Sequence, residues 1–176
     1  MQLESSELGS RIRSLLAPGD AMLRSMPLVP GAPADGPQVD ELRQLRPEDL
    51  FEGGAIKDRD FAKCVQSGLY LYFSALDESH RISQGIPSAS GSYWHGIMHR
   101  QEGDWSNAKY WFRRVGTHPV FGQLEAQAGS TWDPYAFVDR CSAASARNSD
   151  AADLIDLQMQ EWRLLMRYCY RNAIGI

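Results

Sequence analysis

Two histidines four residues apart are the side chains of this sequence best suited to chemistry. His95 and His99 would lie on one face of a helix, because four residues are close to one helical turn. Glu102, three residues further on, falls near the same line. Two imidazole nitrogens and a carboxylate oxygen can bind a divalent ion, and His80 or Glu78 could complete its coordination. Metal-dependent hydrolysis would then be the natural chemistry, since a bound ion lowers the pKa of a coordinated water.

A buried polar network is the structural alternative to a metal site. The zinc-protease motif is absent, because Gly96 stands where that motif needs its glutamate. Imidazoles that face a partner helix must be hydrogen-bonded, since leaving one unsatisfied costs about 1 to 3 kcal/mol. The candidate partners for such a network are Glu102, Asp104, Asn107 and Tyr110.

A pocket that binds a small polar or anionic molecule without chemistry is the third interpretation, and the one the sequence favours. Arginine and lysine suit carboxylate or phosphate groups, and tryptophan rings offer flat faces to a ligand. All four histidines lie within residues 78–118, and the pocket is predicted between a helix ending at His80 and a hairpin at 93–115. Its predicted residues are His80, Trp94, His95, His99, Arg100, Lys109, Trp111, Arg113 and Arg114.

The elements that must position these residues all have helical periodicity. Apolar residues recur at spacings of three and four between Phe61 and Leu76, which predicts one helix from about Asp58 to His80. Residues 94–101 and 106–115 are predicted as two further helices, and residues 87–91 as a loop. No segment alternates long enough to be a strand. The fold class predicted is all-α, a single irregular bundle of about six helices.

The two ends of the chain differ in composition. Four prolines fall between positions 27 and 37, a density that excludes a helix, so residues 1–37 are predicted to be an N-terminal arm and residues 38–176 the helical domain. The arm could pack across the domain or pair with a second copy, making a homo-oligomer. The last helix is predicted from about residue 149 with a core stripe of Ile155, Met159, Trp162, Met166 and Cys169.

Charge and hydropathy narrow the possible partners and location. A formal net charge of -4 argues against nucleic acid, because phosphate neutralisation needs a clustered basic surface. No apolar stretch approaches the length of a membrane span, and the first residues do not resemble an export signal. The three cysteines are widely spaced among apolar neighbours, which is typical of core residues. We therefore expect a cytoplasmic protein.

Residues 93–119 resemble a single helical hairpin of the tetratricopeptide type. Five features of that repeat have counterparts at or near the expected positions. They are the small residue (Gly96), the turn between the helices (Gly103-Asp104), the close-contact alanine (Ala108), the aromatic residue (Phe112) and the terminal proline (Pro119). It departs where His95 and His99 replace a large apolar residue and a tyrosine. A solenoid needs about three repeats, and the sequence has one. The resemblance implies a hairpin, with a protein-interaction module as an alternative function.

The block from Ser92 to Arg114 is also similar to a bacterial protein family of unknown function, from which no activity follows.

Overall fold

The apolar stripes pack into one helical bundle. The computed structural model describes residues 8–17, 23–32, 36–52, 56–147 and 151–176, and these ranges contain helices but no strand. The prediction of an all-α fold is confirmed, while about six helices is too few. The helices are α1 (Ser10–Leu16), α2 (Pro37–Gln44), α3 (Arg59–Tyr72), α4 (Leu76–Ser83), α5 (Ala89–Glu102), α6 (Trp105–Val115), α7 (Pro119–Ala128), α8 (Pro134–Arg147) and α9 (Ala152–Ile174), with a short 3₁₀ helix at Pro47–Leu50.

The segment predicted as one helix from Asp58 to His80 is two helices, α3 and α4. The chain turns at Ser74, which has a left-handed φ of 57° although it is not a glycine. Apolar spacing continues through this turn, so periodicity could not reveal it. The turn lets α4 pack back against α3, where the buried hydroxyls of Ser67 and Ser79 lie 2.8 Å apart. One consequence is that His80 stands on a helix of its own.

Helix α5 is the centre of the bundle. It begins earlier than predicted, because the Ser88 side chain accepts a hydrogen bond from the Gly91 backbone N–H and caps the helix there. Residues 89–91 are therefore helical rather than loop. The helix ends at Gly103, whose φ of 83° is left-handed. Every residue from 90 to 101 is buried, and α5 contacts α3, α4 and α6. A helix buried on all sides can carry different chemistry on different faces.

Close approach at Gly68 fixes α5 against its neighbours. A Cβ atom at Gly68 would lie 2.5 Å from the Met166 sulfur and 2.8 Å from the Trp94 ring. The Trp162 indole N–H donates to the Gly68 carbonyl at 2.7 Å. Helices α3, α5 and α9 therefore meet at this point, and the backbone of α3 supports a tryptophan from each of the other two.

The described parts of the predicted arm pack on the helical domain. Ile12 and Leu15 of α1 are fully buried in the main core. Further along, the Gln158 amide donates to the Met26 and Pro27 carbonyl oxygens at 3.1 and 3.2 Å. Oligomerisation through the arm stays a prediction.

The C-terminal helices match their sequence signals. The Asp133 carboxylate accepts from the Tyr135 and Ala136 backbone N–H groups and caps α8. Helix α9 begins at Ala152, while residues 148–150 lie outside the described part of the chain. Its predicted stripe is buried at Met159, Trp162, Met166 and Cys169 and half-buried at Ile155. Of the helices described, none has the length and apolar character needed to cross a bilayer.

Candidate metal centre

Three of the four histidines gather between α4 and α5. His80 comes from α4, and His95 and His99 come from successive turns of α5. One ring nitrogen of each lies within 4.8 Å of the others. The ring centroids are 4.6 Å apart for His80 and His95, 5.5 Å for His80 and His99, and 4.8 Å for His95 and His99. His95 and His99 are buried and His80 is half-buried, so the cluster reaches the surface at His80.

The hydrogen bonds of Ser83 fix the tautomer of His95. The Ser83 hydroxyl lies 2.8 Å from the Ser79 carbonyl oxygen and 2.9 Å from His95 Nδ1. A hydroxyl has one proton, and the carbonyl can only accept it. Ser83 therefore donates to Ser79 and accepts from the Nδ1–H of His95. This leaves the Nε2 of His95 without a proton and with a free lone pair.

Glu102 fixes His99 in the same way. The carboxylate can only accept, and its oxygen lies 2.9 Å from His99 Nδ1, so this nitrogen carries the proton. In the neutral imidazole, which is the form that binds a metal, the Nε2 of His99 is then an acceptor. It is buried and has no hydrogen-bond partner among the described residues. Two neighbouring imidazoles thus share one tautomer, with Nδ1 held and Nε2 available.

Burial keeps His95 neutral. The pKa of His95 is lowered to about 3, mainly by burial and to a smaller extent by the neighbouring His99 and His80. At neutral pH this imidazole carries no charge. A neutral imidazole with a free Nε2 is the form that binds transition metals.

Two of the predicted pocket residues form the outer edge of the cluster. The Trp111 ring lies 4.0 Å from the His95 ring, measured between centroids. The guanidinium carbon of Arg114 lies 5.1 Å from the centroid of the Trp111 ring. Trp111 is half-buried and Arg114 is exposed. The sequence thus supplied five residues that the fold brings together here: His80, His95, His99, Trp111 and Arg114.

The other predicted pocket residues lie elsewhere. Trp94 is buried against Gly68. Arg100 is fully buried in an ion pair with Glu161, and Lys109 pairs with Asp139. The remaining arginine, Arg113, lies over the Tyr110 ring at 6.0 Å.

The carboxylates considered as metal ligands have other partners. Glu78 pairs with Arg43 at 2.9 Å, and Glu102 holds the Nδ1 of His99. Asp104, which lies close to His99 and Glu102, caps α6 by accepting from the Asn107 backbone N–H. We therefore place Glu102 beside the cluster, as a partner of one of its histidines. A carboxylate in that position orients a metal-binding histidine and raises its basicity.

Ser83 is the residue that the sequence did not suggest. It lies twelve positions before His95, on a different helix. The sequence signal that could have revealed Ser83 is its spacing of three from His80, which places both residues on one face of α4.

The last histidine, His118, lies apart from the cluster. Its Nδ1 accepts from the Val120 backbone N–H, and its Nε2–H donates to Ser90. Both of its nitrogens are satisfied, whereas the Nε2 of His99 has no partner among the described residues.

Comparison with known proteins returned no family model, no curated protein and no solved structure similar to this chain. The site is thus defined by its geometry. The tetratricopeptide-type resemblance of residues 93–119 stays a prediction.

Proposed function

We propose that this protein binds a divalent transition-metal ion of the zinc class through His80, His95 and His99. The observation that carries the proposal is the buried Nε2 of His99, which has no partner in the described residues and belongs to a three-histidine cluster. Imidazole ligands suit zinc, copper, nickel and iron, and zinc is the common choice where no redox chemistry is needed.

The spacing of the nitrogens is close to that of a metal site. Tetrahedral bonds of about 2.0 to 2.1 Å would place the ligand nitrogens about 3.4 Å apart. The nitrogens here lie within 4.8 Å of one another, so coordination requires shifts of about 1 Å. His80 is the half-buried member and has the most freedom to make that shift.

The number of ligands favours a reactive ion over a structural one. Structural zinc sites have four protein ligands, whereas catalytic sites have three and keep a position for water or substrate. Among the described residues, no fourth histidine, cysteine or carboxylate joins this cluster. An ion bound here would lower the pKa of a coordinated water to about 7, which is the requirement for metal-dependent hydrolysis.

Metal analysis and zinc titration of the purified protein test the proposal. We expect one ion per chain in the wild type, and loss of that ion in His95→Ala and in His99→Ala. The matched control is His118→Asn, because His118 is also buried and an asparagine can still cap α7. This variant should bind zinc like the wild type.

A second comparison tests the role of Glu102. Glu102→Gln should weaken zinc binding by about 10-fold to 100-fold, the usual effect of losing a carboxylate that orients a metal-binding histidine. If the folded wild type binds no zinc, or if His99→Ala binds it as tightly as His118→Asn, the proposal is wrong.

A further inference from the structure

Arg114 is a cation held at the edge of the histidine cluster. Its guanidinium lies over the Trp111 ring, whose centroid is 4.0 Å from that of His95. Stacking on an aromatic face uses the flat side of a guanidinium and leaves its N–H groups free to bind another molecule. The Trp111 ring is therefore next to both His95 and Arg114.

The charge of Arg114 is not neutralised by a neighbour. Two other basic side chains of α5 and α6 have carboxylate partners: Arg100 has Glu161, and Lys109 has Asp139. In the part of the chain that the structure describes, no carboxylate lies within ion-pair distance of Arg114. Its donors are therefore available for a ligand.

The charges at the cluster favour an anion. A divalent ion on three neutral imidazoles keeps its positive charge, and Arg114 adds another. Two carboxylates lie beside His99: Asp104, which caps α6, and Glu102, which lies on the Nδ1 side of His99 with about half of its side chain exposed. Solvent screens its charge there, so it does not cancel the positive charge at the ligand position.

We propose that the site binds a small oxyanion, a carboxylate or phosphate group, between the metal and Arg114. One oxygen would occupy the fourth position of the ion, and a second would accept from the guanidinium, which matches such groups in shape. The Trp111 ring would cover the ligand on one side. This inference rests on the proposed metal site and adds the chemical class of its ligand.

Cobalt-loaded protein provides the test, because the visible spectrum of cobalt changes when a ligand enters its coordination sphere. Acetate serves as the probe for a carboxylate and sulfate as the probe for a phosphate-like group, and the tighter of the two identifies the class. We expect a saturable spectral change in the wild type. Arg114→Gln should weaken this binding at least about tenfold while leaving cobalt affinity unchanged, because it removes one charge-assisted hydrogen bond.

The neighbouring arginine provides the control. Arg113 is also exposed and also lies over an aromatic ring, but that ring belongs to Tyr110 rather than to Trp111. Arg113→Gln should bind both probes like the wild type. If cobalt binds but neither probe changes its spectrum, or if the two variants behave alike, the oxyanion inference is wrong and the metal site stands. If cobalt does not bind to the folded protein, both are wrong.

Discussion

Helix α5 carries two buried polar clusters of opposite character on different faces. One is the histidine cluster shared with α4. The other is Arg100, whose Nη2 lies 2.5 Å from a carboxylate oxygen of Glu161 on α9 and 3.4 Å from the Gln158 amide oxygen. Arg100 and Glu161 are completely buried, and the guanidinium carbon lies 4.4 Å from the Phe137 ring centroid.

The two clusters show that burial alone does not reveal a functional site. Arg100 and Glu161 cancel each other's charge and tie α5 to α9, which is a structural arrangement. The histidine cluster has no opposite charges of this kind at its centre: one ring nitrogen of each histidine lies within 4.8 Å of the others, and the Nε2 of His99 has no hydrogen-bond partner among the described residues. What distinguishes the functional candidate is a group of three metal-binding side chains close enough for one cation to join.

The largest effect is expected from breaking the ion pair. Glu161→Gln leaves the Arg100 charge buried without its partner and should lower the free energy of unfolding by about 3 to 5 kcal/mol. Urea unfolding measures this. The surface pair of Lys109 and Asp139 is the control, and Asp139→Asn should cost less than about 1 kcal/mol.

A double variant separates charge from packing in that cluster. Arg100→Met with Glu161→Leu replaces both charges by apolar groups of similar size and should recover most of the loss. If Glu161→Gln costs no more than Asp139→Asn, the ion pair does not stabilise the fold as described.

Acid should destabilise the fold through His118, which belongs to neither cluster, in addition to His95. Burial lowers the pKa of His118 to about 4, against about 6.5 in the unfolded chain. Between these values the unfolded chain binds the extra proton, so stability falls as the pH falls. The expected loss from His118 is about 2 kcal/mol between pH 7 and pH 5.

His118→Asn should remove that part of the pH dependence while retaining the cap on α7. Urea unfolding of both proteins at the two pH values gives the comparison. Equal losses in the wild type and in the variant would show that His118 is not the group responsible.

The smallest effect has the opposite sign. His99→Leu removes a buried nitrogen that has no partner, so the metal-free protein should gain about 1 kcal/mol in its free energy of unfolding. His118→Leu should lose about 1 kcal/mol, because it removes the cap of α7. Unfolding in the presence of a chelator checks both. A loss above about 2 kcal/mol in His99→Leu would instead favour a structural polar network.

The sequence predicted the fold class, and it named the three histidines that the fold gathers between α4 and α5. A spacing of four was sufficient to place His95 and His99 on one face of α5. The dense block around them misled the assignment of Trp94 and Arg100, because neighbouring residues on a helix point about 100° apart. These side chains reach other helices. Ser83 and the orientation of His80 depend on the turn at Ser74, which the apolar spacing does not reveal.

The eight-residue length of α4 has a consequence for the proposed ion. A segment this short does not form a stable helix by itself, so α4 is ordered by its contacts with α3 and α5. An ion that joined His80 to the two histidines of α5 would act as a tether for this helix. Metal binding should then slow amide hydrogen exchange more in residues 76–83 than in the rest of the bundle.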